Sequence, residues 1–445
     1  MLLLLALGGL MHAARSFTEG AGAAGVELAF GFLLLVAFFN ARFLHKLGLP
    51  HLTCYLLAGI ITGPFVLDLV TDSMTTQLKV VSDVAVCMIA LTAGAELNFE
   101  KIRPYMSVLR GMVFYSVIGT MFVLGGVLFL IRPLLPFLDA MSLDQAGAVC
   151  LMIGIAASAQ SPSVVMAMVS ELRSEGPVTR VLLAMVVVAD FIVIICYAIA
   201  SAVAGAVIGG DIDVGKEVAS VSWELGGSIV FGVAIGAVLG VFLQAVKRGG
   251  SLFAVMVCLV VAEIGARIHL DPLITMIAAG VWLENFSKAD SSKLLHDFES
   301  AQLPVFLVFF ALAGSHINLR TLYASLLPVA IIVIARASSF FMGCRIATRN
   351  ASADPAVRKY AWFGLVPQAG LAIAIALIMQ KSFPSFGSEA GVLLLGVVAA
   401  NELVAPPIFR LVMLRSGEAG KRAAADFGAH AHAPARAQIA LPHPP

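Results

Sequence analysis

The feature that most constrains this chain is the repetition of apolar runs about 20 residues long, from residue 24 to residue 414. A helix needs about 20 apolar residues to cross the hydrocarbon core of a bilayer. Only 12% of the 445 residues are charged, whereas a soluble domain carries about 25% because its surface faces water. The sequence therefore predicts an all-α polytopic membrane protein, with the lipid bilayer as a partner and with no enzyme activity.

Charge and cysteine content exclude several other functions. The formal net charge is +1, so nothing predicts a nucleic-acid partner. The six cysteines are scattered singly, without the short spacing of a metal site or a thiol redox motif. We therefore expect neither a resident metal nor a cofactor, and the cysteines are interpreted as small apolar residues in the protein interior.

Thirteen runs are long enough to be transmembrane spans, flanked by two terminal segments. Residues 1–23 form a short apolar stretch that is either a weak signal sequence or an extra half-span. Residues 24–414 form the membrane domain, and residues 415–445, rich in Ala, His and Pro, are predicted to be a disordered cytoplasmic tail. The spans are 24–44, 50–69, 78–98, 108–131, 146–170, 178–205, 222–246, 252–268, 271–286, 303–319, 322–347, 358–380 and 388–414.

The basic residues predict how these spans are oriented. If the loop that contains Arg42 and Lys46 is cytoplasmic, the cytoplasmic segments hold 20 of the 28 lysines and arginines and the opposite segments hold seven. The remaining one, Arg336, lies within a span. Cytoplasmic loops are enriched in Lys and Arg. The count therefore predicts an inner-membrane protein with its N-terminus outside and its C-terminus in the cytoplasm.

The order of spans also predicts internal symmetry. Residues 24–205 and 252–414 each contain six spans, and the linker helix 222–246 between them gives the two halves opposite orientations. Inverted repeats of this kind are common in secondary transporters. In each half the fifth span is interrupted, by a segment that contains Gln160 and Pro162 in the first and Pro367, Gln368 and Gly370 in the second. Since matched breaks at the bilayer midplane mark binding sites in such repeats, we predict two crossed, broken helices there.

Asp190 is the clearest candidate for an ion-binding residue. It lies in the run Met185–Val193, which has no other polar residue. An ionisable side chain at this depth is costly unless it is paired or hydrated, so it is a functional candidate. A carboxylate in this position can bind a monovalent cation when ionised and a proton otherwise. The alternative interpretation is a structural aspartate that caps a broken helix.

Two further charged residues lie inside spans. The guanidinium of Arg336 stays protonated and supplies fixed positive charge. It is expected either to pair with a carboxylate or to face the negative C-terminal ends of the half-helices at the crossing. Glu402 occupies in the second half the depth of Asp190 in the first, and it is either a second acidic group of the site or a structural hydrogen-bonding residue.

Several short motifs resemble one family of transporters. The matching segments are Leu47–Pro50, Leu57–Pro64, Ala93–Leu97, Leu270–Pro272, Ala278–Val281 and Phe309–Gly314. Together they make the chain similar to monovalent cation:proton antiporters, in the Na+/H+ exchanger branch that includes bacterial sodium/proton antiporters and potassium-efflux transporters. The resemblance covers roughly residues 25–414.

This resemblance implies a homodimer in which a mobile core domain carries the ion across the membrane. The essential aspartate of the family matches Asp190, and its conserved Lys or Arg matches Arg336. Ala189 stands where the family usually has Asp, Asn or Gln, and a second carboxylate in the site is associated with electrogenic exchange. We therefore expect electroneutral exchange of Na+ or K+ for protons, with Gln160, Ser161 and Ser163 supplying oxygen ligands.

Two other functions are compatible with the same pattern. A sodium-coupled symporter of a small organic anion can use the same crossed-helix fold, although it needs a larger polar cavity and a second sodium site. A non-transporting sensor could keep the fold, but no soluble output domain follows residue 414. Transport assays in everted vesicles with Na+, K+ and Li+ would discriminate among these functions.

The predicted orientation can be tested at the C-terminus. A reporter enzyme that is active only in the periplasm should stay inactive when it is fused after Pro445, because the excess of basic residues places the tail in the cytoplasm. A cytoplasmic reporter at the same position should be active. Activity of the periplasmic fusion would mean that the span count is wrong.

Overall fold

The structure of the protein is a computed structural model. It describes residues 24–44, 49–208, 214–245, 250–268, 270–288, 307–317, 325–349 and 353–421, together with Gly9, Met11 and Val305. These residues form helices and connecting turns without any β-strand, which confirms the all-α prediction. Apart from Gly9 and Met11, the interpretation of residues 1–23 falls outside the described residues, as does that of residues 422–445.

The helices are labelled in chain order, leaving aside the short turns Asp72–Gln77 and Pro136–Asp139. The first seven are α1 Ala24–Leu44, α2 His51–Thr62, α3 Lys79–Glu96, α4 Phe99–Leu130, α5 Leu143–Ser158, α6 Pro162–Glu171 and α7 Pro177–Ile208. The others are α8 Val214–Ala245, α9 Gly250–Ile268, α10 Pro272–Phe286, α11 (307–315), α12 Leu326–Arg349, α13 Pro355–Tyr360, α14 Gly370–Ser382 and α15 Gly387–Ser416.

These helices agree with a multi-pass membrane protein. Eight helical segments among the described residues are long and apolar enough to cross a membrane, and three shorter apolar helices accompany them. Each predicted span overlaps at least one helix. The number of crossings and the inverted repeat remain predictions.

The end of the membrane domain differs from the predicted boundary at residue 414. Helix α15 continues to Ser416, and Gly417–Lys421 contact the rest of the protein. The prediction of a disordered tail was therefore wrong for residues 415–421. Composition alone could not reveal the cause, which is a buried carboxylate, Glu418, that binds another helix.

Both predicted helix breaks are present. Helix α5 ends at Ser158 and α6 begins at Pro162, which occupies the first helical turn, where its missing N–H costs nothing. In the second half the 3-10 helix Ala361–Leu365 ends before the non-helical segment 366–369, and α14 starts at Gly370. Because Gln368 in one break hydrogen-bonds to Ala157 beside the other, the two broken helices meet.

The helices form two groups according to their closest contacts. We call α4–α7 and α12–α15 the core helices; α12 packs on α4 and α15, α5 packs on α4 and α7, and α14 packs on α15. Polar bonds support these contacts, including the one between Thr120 and Ser339 at 2.8 Å.

We call α1–α3 and α8–α11 the framework helices. Helix α10 packs on α3 and α8, and glycines bring the backbones close: a Cβ added to Gly94 would lie 2.2 Å from the Ile277 carbonyl oxygen. Helix α2 packs on α1 and, through Gly59, on α11. The turn Asp72–Gln77 contacts both α1 and α3, and so connects the helices α1, α2 and α11 with the helices α3, α8 and α10. The two groups meet where α6 lies against α2 and α3, where α15 lies against α2, and along the consecutive helices α7 and α8.

Candidate functional site

Arg336 lies where the two broken helices meet. It projects from α12, has no exposed surface, and all four of its hydrogen bonds end on main-chain carbonyls. On the first broken helix, Nε donates to the Ala157 oxygen at 2.8 Å and Nη2 to the Ala159 oxygen at 2.6 Å. On the second, Nη1 donates to the Val366 oxygen at 2.6 Å and Nη2 to the Leu365 oxygen at 3.3 Å.

These carbonyls explain how a buried guanidinium is accommodated. The last carbonyls of a helix have no partner within it and carry the negative end of the helix dipole. Helix α5 and the 3-10 helix before α14 both end at Arg336, so its positive charge faces two such ends at once. The ring of Phe340 lies 4.7 Å below the guanidinium and adds a cation–π contact. The sequence left two partners open for Arg336, a carboxylate or the half-helix ends. In the structure Arg336 binds the half-helix ends.

A chain of side-chain amides makes a second connection across the breaks. Gln368 has no exposed surface; its Nε2 donates to the Ala157 oxygen at 3.2 Å, and its Oε1 accepts from Nδ2 of Asn401 at 2.9 Å. Asn401 lies in α15, so this chain links the second break both to α5 and to the last helix. Nothing in the local sequence indicates this role of Asn401, because its partner lies 33 residues away.

The first break contains three polar side chains that are buried. Ser161 caps α6 by accepting a hydrogen bond from the Val164 amide at 3.2 Å, and its Oγ lies 3.0 Å from Oγ of Ser163. Gln160 is fully buried, yet among the described residues neither its Oε1 nor its Nε2 has a hydrogen-bond partner. Buried amides are rarely left unpaired. The side chain of Gln160 is therefore a candidate to bind a ligand or water.

Asp190 lies near the middle of the 32-residue helix α7, about 20 Å from its first residue at 1.5 Å per residue. It is 5% exposed, and its Oδ1 has no hydrogen-bond partner within the described part of the chain. The flanking residues Ala189 and Phe191 offer no polar group. A buried carboxylate oxygen without a donor is expensive unless a cation, a proton or water occupies it.

The remaining predicted residues occupy different environments. Glu402 in α15 is 2% exposed, next to Asn401 of the amide chain. Pro162 and Pro367 lie at the two breaks, and Gly370 is the first residue of α14. The structure thus joins Arg336 and Gln368 at the crossing, with Gln160, Ser161 and Ser163 in the first break.

Comparisons with known proteins agree with this architecture. The profile of the family described as "Sodium/hydrogen exchanger, transmembrane" matches residues 31–415. A protein of Methanocaldococcus jannaschii named "Probable Na(+)/H(+) antiporter 3" is 22% identical over 394 residues, which cover 86% of this chain and 96% of that protein.

Two solved structures of the sodium proton antiporter MjNhaP1 from the same organism are similar in fold. The structure at pH 8 superposes with a TM-score of 0.63 at 15% identity, covering 88% of this chain and 99% of the other. The electron microscopy structure gives a TM-score of 0.66 at 15% identity, with coverage of 90% and 97%.

The carbonyl contacts of Arg336 generate a prediction about stability. The substitution Arg336→Lys should lower the free energy of unfolding by about 3 kcal/mol, because an ammonium group cannot reach four carbonyls on two helices. Denaturant titration of the purified protein in detergent measures this difference. Arg345→Lys, on an exposed part of the same helix, is the matched control and should change stability by less than about 0.5 kcal/mol. Equal stability of the two variants would contradict the role given to Arg336.

Proposed function

Because this chain belongs to the sodium/hydrogen exchanger family, we propose that it exchanges a monovalent cation, Na+ or K+, for protons across the membrane. The named antiporter relatives support this activity. The observation that carries the proposal is the carboxylate of Asp190, which is buried in the middle of a long apolar helix with one oxygen unpaired. Such a group binds one positive charge, and either a cation or a proton can supply it.

Asp190 is the shared site in this mechanism, and the first break contributes the neutral ligands. Hard monovalent cations are coordinated by oxygens, and Gln160, Ser161 and Ser163 carry side-chain oxygens on or next to the non-helical segment. The unpaired amide of Gln160 supports this assignment.

Arg336 compensates charge in this mechanism and transfers no proton. Its guanidinium is bound to four carbonyls, which favours the charged form throughout the cycle. The negative ends of the half-helices are thereby balanced, so the charge that changes during transport is that of Asp190. Glu402, buried in α15, is the candidate for a second acidic group of the site.

Transport requires the site to open alternately to the two sides of the membrane. In transporters with broken helices, one bundle commonly moves against another as a rigid body. The division into core helices and framework helices supports the same motion here, with the core carrying Asp190 and both breaks. A homodimer, formed through the framework helices, would hold one group still while the other moves.

The location follows from the same reasoning. Apolar helices and family membership support a multi-pass protein of the cell inner membrane. Hydrogen bonds join segments that the basic-residue count places on one side, such as Val178 with Glu418 and Asn98 with Glu284. This agreement supports the predicted order of spans, and the excess of basic residues in the segments on that side is what favours an outside N-terminus and a cytoplasmic C-terminus.

The role of Asp190 is tested by removing its charge. Asp190→Asn keeps the size of the side chain and should abolish cation-dependent proton movement in everted vesicles, while the protein still inserts and purifies normally. Asp144→Asn, an exposed position at the start of α5, should transport like the wild type. If Asp190→Asn exchanged cations at the wild-type rate, the mechanism would be excluded, and Glu402→Gln would be the next variant to assay.

The number of protons per cation gives a second test. With Ala189 beside Asp190, one cation and one proton add the same charge to the carrier, so a complete cycle moves no net charge. A membrane potential acts only on moved charge, with about 2.3 kcal/mol per charge per 100 mV. Exchange in proteoliposomes should therefore respond to a pH gradient and not to an imposed potential. A rate that rises steeply with potential would require a second titrating group.

A further inference from the structure

Helix α2 is capped by a carboxylate that belongs to a distant part of the chain. Glu171, the last residue of α6, accepts a hydrogen bond from the His51 amide at 2.7 Å through Oε1 and from the Leu52 amide at 3.3 Å through Oε2. The residue before α2 is Pro50, which offers no side-chain cap. The first amides of α2 therefore depend on Glu171, 120 residues away, for a charged acceptor.

The acceptor and the donors lie in different groups of helices. On the framework side, α2 is packed tightly on α11, since a Cβ added to Gly59 would lie 1.8 Å from the Ala311 carbonyl oxygen and one added to Gly63 would lie 2.9 Å from the Ser315 Cα. Helices that pack at backbone distance cannot slide past each other without separating. The N-terminus of α2 is therefore fixed to the framework.

Glu171 is fixed equally firmly to the core helices. The oxygen of the next residue, Leu172, accepts a hydrogen bond from the Gly420 amide at 2.9 Å, and the Glu175 amide donates to the Glu418 oxygen at 3.1 Å. The Glu418 carboxylate in turn accepts from the Val178 and Thr179 amides at 2.7 and 2.8 Å at the start of α7. The ends of α6, α7 and α15 are thus tied together within the core.

A relative movement of the two groups must break this contact. A hydrogen bond is lost when its donor and acceptor separate by more than a few tenths of an ångström beyond 3.2 Å. The contact also lies on the same ten-residue helix as Ser163 of the proposed site, about 12 Å away along its axis. The helix that carries part of the site is therefore held in place at its other end by the framework.

We propose that Glu171 is a conformational latch that stabilises one of the two access states of the transporter. This inference rests on the proposed function, since only a transporter with two access states needs such a latch. Loss of the latch favours the state in which α6 has moved away from α2. Loss of Glu418, whose contacts stay within the core, weakens the fold and leaves the balance between the states unchanged.

Distance measurement between spin labels tests the latch without relying on transport. The six native cysteines are first replaced by alanine. Spin labels are then attached at two exposed positions, through Lys288→Cys just past the end of α10 in the framework and Lys359→Cys in α13 in the core. Pulsed electron paramagnetic resonance in lipid nanodiscs then gives the distribution of distances between the two groups. The Glu171→Gln variant should change the ratio of the populations by about tenfold, as expected when charge-assisted hydrogen bonds are weakened. The Glu418→Gln control should keep the wild-type distribution and melt at a lower temperature.

The remaining outcomes decide the proposal as well. An unchanged distribution in Glu171→Gln, or equal changes in both variants, would overturn it. If Glu171→Gln does not fold, Glu171→Asp takes its place, and its shorter side chain should give a smaller shift in the same direction; no shift in that variant would also overturn the latch. Absence of cation-dependent proton movement in the wild type would reject the proposed function, whereas the distance result concerns the latch alone.

Discussion

A single buried guanidinium connects the two broken helices around which the core is built. Removing Arg336 from water costs several kcal/mol, and the cost is offset because its fork of donors reaches four carbonyls at two helix ends. Those carbonyls need donors as much as the guanidinium needs acceptors, since a helix interrupted inside a membrane leaves them unpaired. The breaks and the arginine therefore stabilise each other. With the positive charge occupied in this way, the carboxylate of Asp190 is not required as its partner.

Each of the two groups of helices is held together by polar bonds and by glycine contacts. In the core, side-chain polar bonds such as that between Thr120 and Ser339 connect helices that are far apart in the chain. In the framework, glycines allow the backbones to touch, as Gly94 does against α10 and Gly59 against α11. Small residues at helix interfaces are a general means of packing in membranes, where lipid removes the hydrophobic driving force between helices. The glycine-containing motifs of the sequence have a physical explanation in these contacts.

Patterns within one helix were predictable from the sequence, and partners between helices were not. The breaks near Pro162 and Pro367 were predicted, because proline and its polar neighbours act on the local backbone. The partner of Arg336 was left open between a carboxylate and helix ends, since only the fold decides which group comes within 3 Å. Glu418 was assigned to a disordered tail, because capping of α7 from 240 residues away leaves no trace in local composition. Glu171 escaped notice for the same reason.

The charge arrangement gives a reason why exchange should be coupled. Once the half-helix ends are balanced by Arg336, an empty core with Asp190 ionised carries one uncompensated charge in a largely apolar environment. Moving such a charge past the framework is costly, because burial penalises an unpaired carboxylate by several kcal/mol. In the proposed exchange mechanism a bound cation or a bound proton removes this penalty, so the loaded core would move far more readily than the empty core. Coupling of this kind needs no separate gate for each ligand. The proposed latch at Glu171 would then set how long the core stays on one side without deciding which ligand it carries.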